Sequence, residues 1–371
     1  MRVLFVCHDA GGTVPPVIAL ADAVVRAGHD AIVLGQPSVR QRAEAVGSTF
    51  VAFSALGDYR PRVSFDDQLD LIGTAIVGRS LGEDLLRIPA DVVVVDANLA
   101  GALAAAETLP VPTAVLLHSV YATFVDTWFA DLWPLLAAGV NDVRRSFGLA
   151  DADDWPAVFA GHERLVSVVP ELFDPTAASG GSSPAHLRHA GFLVCDEPAD
   201  ASWLPVGEAP AVLVGLSTTY QGAAHERLVA AALAALASLP VRALVTTAGQ
   251  VDVADPPANV RVVDRAPHAA VLPHVDAMIT HGGLGSVAAA LHHGVPLVCT
   301  PIDRDQPLNA SRVEALGAGI ALDGSATAAE IAEAVERILA DGSFRAGARR
   351  ATAASTVAGG AASAVRDLLS L

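Results

Sequence analysis

Two doubly wound α/β domains are the architecture this sequence predicts, on three observations. The chain has 371 residues, long enough for two domains with separate cores. In its first half, short apolar runs alternate with stretches of helical periodicity, the βαβ pattern of a parallel sheet. The alternation restarts at residue 211 and continues to 339, after a stretch at 195–207 that holds Asp, Glu and two prolines and reads as a linker.

In order, residues 2–7 form a strand, 8–13 a loop, and 14–27 a helix whose first turn accommodates Pro15 and Pro16. Residues 31–34 and 91–95 are further strands, followed by a helix at 97–108 and a strand at 111–117. Residues 121–140 hold two of the four tryptophans in a chain only 5% aromatic. This stretch is a helix packing on the sheet or the wall of an apolar pocket; a membrane-surface helix is a third option, disfavoured because the stretch lacks basic residues. Asp151, Asp153 and Asp154 imitate a metal-binding D-x-D, but their setting after Gly148 reads as solvated loop. Residues 174–184 are a further loop. In the second half, strands at 211–216, 241–247 and 260–263 flank a helix at 226–238, and residues 343–371 are helical.

Composition narrows the function. A net charge of −17 argues against a general nucleic-acid surface. No run of 18 apolar residues spans a membrane, and no signal-peptide pattern precedes the first strand, so a cytoplasmic protein is expected. All 23 basic residues are arginine, which suggests a GC-rich genome. Cys7, Cys195 and Cys299 are far apart and read as reduced thiols.

The stretch 275–309 carries the chemistry. A strand stops at His281-Gly282-Gly283-Leu284-Gly285-Ser286, and a helix over 287–293 follows. Glycine permits close backbone approach, and the positive end of a helix favours an anion such as a diphosphate. The next strand, 295–300, ends in Asp303, Asp305, Gln306 and Asn309, whose carboxylates and amides suit sugar hydroxyls. The loop lacks the P-loop lysine, since the chain has none, and it is not a G-x-G-x-x-G fingerprint. A diphosphate site beside a hydroxyl site suggests a nucleotide-sugar. Asp305 also has an alternative role as a cap for a helix over 307–316.

Together, His281-Gly-Gly-Leu-Gly-Ser, Gly294-Val-Pro-Leu and Asp305-Gln306-x-x-Asn309 resemble the donor-site signature of family 1 glycosyltransferases. The branch in view is the bacterial one that decorates antibiotics and other natural products. The resemblance implies a GT-B fold: two Rossmann-like domains with parallel sheets facing a central cleft. It assigns 1–206 to acceptor binding, 207–345 to the nucleotide-sugar, and 346–371 to a helical segment crossing back onto the N-terminal domain. It implies an inverting transfer from a UDP- or dTDP-sugar to an apolar acceptor, with no cofactor and no obligatory metal. Homodimer formation is left open.

By the same resemblance, Arg265 and Ala266 meet the nucleotide base, where many relatives carry tryptophan instead of Arg265. Ser217 and Thr218 match a Gly-Ser turn reaching the phosphates. His281, Gly283, Gly285 and Ser286 hold the diphosphate, and Asp305 and Gln306 the sugar. His118, Tyr121, Phe124, Trp128 and Trp133 line the acceptor pocket.

The general base is where this chain departs from the family. Relatives carry a histidine after the first strand, and Thr13 stands there instead. A threonine hydroxyl is no base near pH 7. Asp96 matches the partner aspartate, with N-capping of the helix after it as the competing role. Asp96 with His8 is the favoured replacement, Asp9 shares the loop with His8, and His118 is the alternative from the next strand end. Two other classes stay open at this point: a helper protein that lost catalysis, and a sugar-nucleotide epimerase of the same fold.

Overall fold

The computed structural model describes residues 1–58, 73–178, 183–195, 197–216 and 222–371. The described chain divides into two compact units, Met1–Leu193 with Thr356–Leu371, and Val194–Ser355. These boundaries stand beside the expected ones at 206/207 and 345/346. The second unit takes in residues 200–204 because Asp200 N–H donates to Ala270 O, and Arg261 reaches the carbonyls of Ser202 and Trp203.

In the first unit, seven parallel strands follow the order β3-β2-β1-β4-β5-β6-β7. They are β1 Arg2–Val6, β2 Asp30–Gly35, β3 Thr49–Ala52, β4 Val92–Asp96, β5 Thr113–Leu117, β6 Arg164–Ser167 and β7 Leu187–His189. The central strands β4 and β5 are buried along their whole length, as largely apolar runs covered on both faces must be. Strand order reverses beside β1, so the loops after β1 and β4 part there and leave a crevice. The C-terminal helical segment breaks at Gly359 and Gly360, both with positive φ. Helix Gly360–Leu368 then packs on helix Val14–Arg26, and Arg164 Nε meets Asp367 Oδ2 at 2.7 Å.

In the second unit, six parallel strands follow the order β10-β9-β8-β11-β12-β13. They are β8 Ala211–Gly215, β9 Arg242–Thr246, β10 Val260–Val263, β11 Ala277–Thr280, β12 Leu297–Cys299 and β13 Gly319–Ala321. Here the order reverses beside β8, with Gly215 opposite Thr280. The two parallel Rossmann-like sheets make this an α/β protein of GT-B type.

The aromatic stretch mostly builds core. Phe124, 1% exposed, stacks on Phe129 with centroids 4.6 Å apart, and both abut the fully buried Trp155. Trp155 donates its indole N–H to Phe129 O. Phe124 therefore has no face left for an acceptor, which corrects its place in the expected pocket wall. Tyr121 is also buried, while Trp128 and Trp133 lie half-buried against the same cluster. The D-x-D imitation has local roles: Asp151 pairs with Arg145, and Asp154 caps helix Trp155–Phe159.

Candidate active site

At the crevice of the first unit, Asp96 ends β4 and is 1% exposed. Helix Ala100–Glu107 starts four residues later and has no side-chain cap, so the capping role for Asp96 does not apply. Its carboxylate instead accepts the Asn98 N–H at 2.9 Å and faces two histidines. His118 Nδ1 lies 3.2 Å from Oδ1, and His8 Nδ1 lies 3.6 Å from Oδ2. Burial pushes the Asp96 pKa up. The attraction of His118, then of His8, more than offsets this and holds the carboxyl well below the usual carboxylate range. Asp96 is thus an anion that orients imidazoles, and by itself a weak base.

The two histidines differ in what they have left to give. Asn98 Nδ2 lies 3.0 Å from His118 Nε2. An amide NH2 only donates, so Nε2 is the acceptor and the ring proton sits on Nδ1, toward Asp96. Both nitrogens of His118 are engaged. His8 turns Nδ1 toward Asp96, and its Nε2 makes no hydrogen bond among the described residues.

Thr13 is a loop staple. Its hydroxyl donates to His8 O at 2.5 Å and accepts the Ala10 N–H at 3.1 Å, and the residue is 3% exposed. Its expected place among the catalytic residues is thus corrected to one of holding the His8 loop. Asp9 is consumed as well, accepting from Ser38 Oγ and Arg42 while its N–H donates to the buried Gln36.

In the second unit the glycine loop is shorter than expected. Helix Leu284–His292 begins three residues before 287, so Gly285 and Ser286 belong to its first turn. Gly283 is the extended N-cap residue, and a Cβ there would sit 2.5 Å from His281 Nε2. Only glycine admits the imidazole at that place. Gly282 takes φ +83° and is tied by Asn309 Nδ2 to its carbonyl at 3.0 Å. With no side-chain cap, the first amide groups of the helix are open to an anion.

His281 is buried, and its Nδ1 lacks a hydrogen-bond partner among the described residues. Burial pushes its pKa down to about 4; His225 adds to the fall, the Gly215 backbone opposes it, and Arg304 adds a smaller part. His281 is therefore a neutral donor at pH 7 in the ligand-free protein. Arg304 adopts φ +62°, a left-handed conformation uncommon for a side-chain-bearing residue and often found at functional sites.

Asp305 occupies the N-cap position of helix Gln306–Ala315 without a side-chain cap, and its Oδ2 accepts from Asn309 Nδ2 at 3.1 Å. Gln306 is buried, with Oε1 accepting the N–H groups of Ile302 and Asp303 at 2.8 and 3.1 Å. Its oxygen is thereby committed to shaping the loop. Arg265 is exposed and Ala266 half-buried after β10. Ser217 and Thr218 lie outside the described residues.

The sequence reading missed Asn98, Arg304, His225 and His268. His268 Nε2 lies 3.0 Å from Thr246 Oγ1, and burial pushes its pKa down to about 4. A Cβ on Gly215 would meet His268 Cε1 at 2.7 Å. Asn98, Arg304 and His268 stand within five positions of a strand end, the one signal that could have marked them, whereas His225 lies inside the helix after β8 and carried no such signal.

The comparisons with known proteins agree with this architecture. Residues 230–370 match the family described as erythromycin biosynthesis protein CIII-like, C-terminal domain. Over 94% of both chains, the sequence is 29% identical to 4'-demethylrebeccamycin synthase of Lentzea aerocolonigenes. The calicheamicin glycosyltransferase CalG4 superposes with a TM-score of 0.76 at 25% identity, covering 100% of this chain and 97% of that one. Over its whole length the chain is similar to GT-B glycosyltransferases of antibiotic biosynthesis. This glycosyltransferase also shares its fold with the spinosyn rhamnosyltransferase SpnG, solved with thymidine diphosphate, at a TM-score of 0.73 and 21% identity over 100% of both chains. Among the described residues, no helix is long and apolar enough to cross a membrane.

Proposed function

We propose that this glycosyltransferase moves a sugar, with inversion, from a UDP- or dTDP-sugar to a hydroxyl of an apolar natural product. The observation that carries the reading is the pair of dissimilar strand-end sites: a His8–Asp96 dyad in one unit and an anion-ready glycine loop in the other. The second unit binds the donor. His281 and the open amides at Leu284 and Gly285 hydrogen-bond the diphosphate and gain strength as its bond to the anomeric carbon breaks. Asp305 and the remaining amide of Gln306 hold sugar hydroxyls, and Arg265 stacks on the base.

The first unit activates the acceptor. As the acceptor oxygen attacks the anomeric carbon, its proton passes to His8 Nε2. Asp96 stabilises the imidazolium that forms, and the nucleoside diphosphate leaves with the bonding electrons. His118, fixed by Asn98, keeps the carboxylate in place. The relatives support this reading: one is a rebeccamycin-type synthase, and SpnG was solved with thymidine diphosphate and, separately, with the spinosyn aglycone.

The test is turnover with a panel of UDP- and dTDP-sugars and phenolic or alcohol acceptors, with the product's anomeric configuration read by NMR. A β-linked product from an α-linked donor is expected. Retention of configuration would refute the single displacement. A folded protein that binds nucleotide but glycosylates no acceptor would make it a binding protein.

A further inference from the structure

We propose that His225 is a second imidazole for the donor diphosphate, working beside His281; this rests on the reading of the glycine loop as the donor site. His225 stands in the first turn of helix Gly222–Ser238, which follows β8. It heads the face that buries Leu228, Val229, Ala232, Ala235 and Leu236 against the sheet. In a βαβ unit the start of such a helix lies at the ends of the strands, where ligands of these sheets bind. Strand β11, which leads into His281, is the hydrogen-bonded neighbour of β8.

The residue itself has the character of a ligand contact. His225 is 0% exposed, and neither Nδ1 nor Nε2 has a hydrogen-bond partner among the described residues. A neutral imidazole carries one donor and one acceptor, and burying both unpaired is costly. An apolar side chain would complete this helix face without that cost, as the five residues after it do. The orphaned Nδ1 of His281 repeats the signature on the adjoining strand. Burial depresses the basicity of His225, and the ring is close enough to His281 to depress that residue's further. Two neutral imidazoles without an anion are what a site for a departing diphosphate requires before its ligand arrives. Each can donate an N–H, and neither repels the other.

The test is titration of UDP and dTDP, with uridine and thymidine as phosphate-free controls, into wild type, His225→Leu, His225→Phe and His225→Gln. The apolar variants are expected to lose about tenfold or more in diphosphate affinity, the value of a hydrogen bond to a charged group. Nucleoside affinity should not change, and thermal stability should equal or exceed wild type because the orphaned ring is gone. Glutamine, which keeps an N–H donor, should recover part of the loss. Unchanged diphosphate affinity in both apolar variants would overturn the proposal, as would equal losses for nucleoside and diphosphate. His281→Ala separates the two levels. If it weakens diphosphate binding while the His225 variants do not, only His225 loses its role. If wild type binds no nucleoside diphosphate, the donor-site reading falls and this proposal with it.

Discussion

Both units bury histidines at strand ends, and they do so with opposite electrostatics. In the first, His8 and His118 face a shared carboxylate, Asp96. In the second, His225, His268 and His281 have no acidic partner at ion-pair distance among the described residues, and burial drives all three toward the neutral form. A buried imidazole backed by an anion is prepared to accept a proton. One buried without an anion is prepared to donate a hydrogen bond to an anion that arrives. The same side chain thus suits general-base work in one place and phosphate binding in the other.

Removing the carboxylate should abolish the contrast. Asp96→Asn keeps the shape and removes the charge, and turnover is expected to fall by about 10²–10⁴-fold, the range for loss of general-base function. Nucleoside diphosphate affinity should not change. A folded Asp96→Asn enzyme with normal turnover would place the base elsewhere. His8→Ala should come next, with a fall of about 10²-fold in kcat. His118→Ala should cost less, because both its nitrogens are engaged in holding the dyad. A larger loss for His118→Ala would exchange the two roles.

His281→Ala tests the other side of the comparison. Diphosphate affinity should drop about tenfold or more through one lost charge-assisted hydrogen bond, with little change for the free nucleoside.

Acid unfolding should separate the two kinds of histidine environment. His162, His268 and His281 sit at about 4 in the folded protein, against about 6.5 in the unfolded chain. Between those values the unfolded chain binds protons that the folded one refuses, so stability rises with pH across that window. Their contribution is fully present above about pH 6.5 and shrinks as pH falls toward 4. Asp96 has a depressed carboxyl, so its contribution persists to about pH 4 and is lost only below that. Thermal melts from pH 7 to 3 should therefore decline first by the histidine stage. Bound UDP or dTDP should flatten that stage, because a phosphate beside His281 raises its pKa. A histidine stage unaffected by nucleotide would argue that no anion meets the imidazole.

The smallest effect concerns the loop. Thr13→Val removes the hydroxyl bonds to His8 O and Ala10 N, and should cost about 1–2 kcal/mol of stability. A modest rate loss should follow as His8 gains freedom. Thr13→His should not speed transfer, because its ring would have to enter a buried place that the hydroxyl now fills. Faster transfer in that variant would show the family's dyad to be compatible with this loop.

The sequence by itself determined most of the strands, their alternation with helices, and the glycine loop after β11, because hydrophobic period and glycine placement are local properties; the short strands β3, β6, β7 and β13 carried too little pattern to be read. It also marked Asp96, His8 and His281, since residues at the ends of parallel strands face the ligand side of such sheets. Local pattern could not decide what each neighbour would be. His8 and His118 follow strands β1 and β5 on either side of β4, and only the assembled sheet brings them to one carboxylate. The capping alternative for Asp96 fell because its helix starts late, and Phe124 became core because Trp155, thirty-one positions on, covers it. His225 resembled any polar residue early in a helix until packing buried both its nitrogens. Burial and charge environment are sums over residues distant in the chain, so the role of each histidine was fixed only when the chain folded.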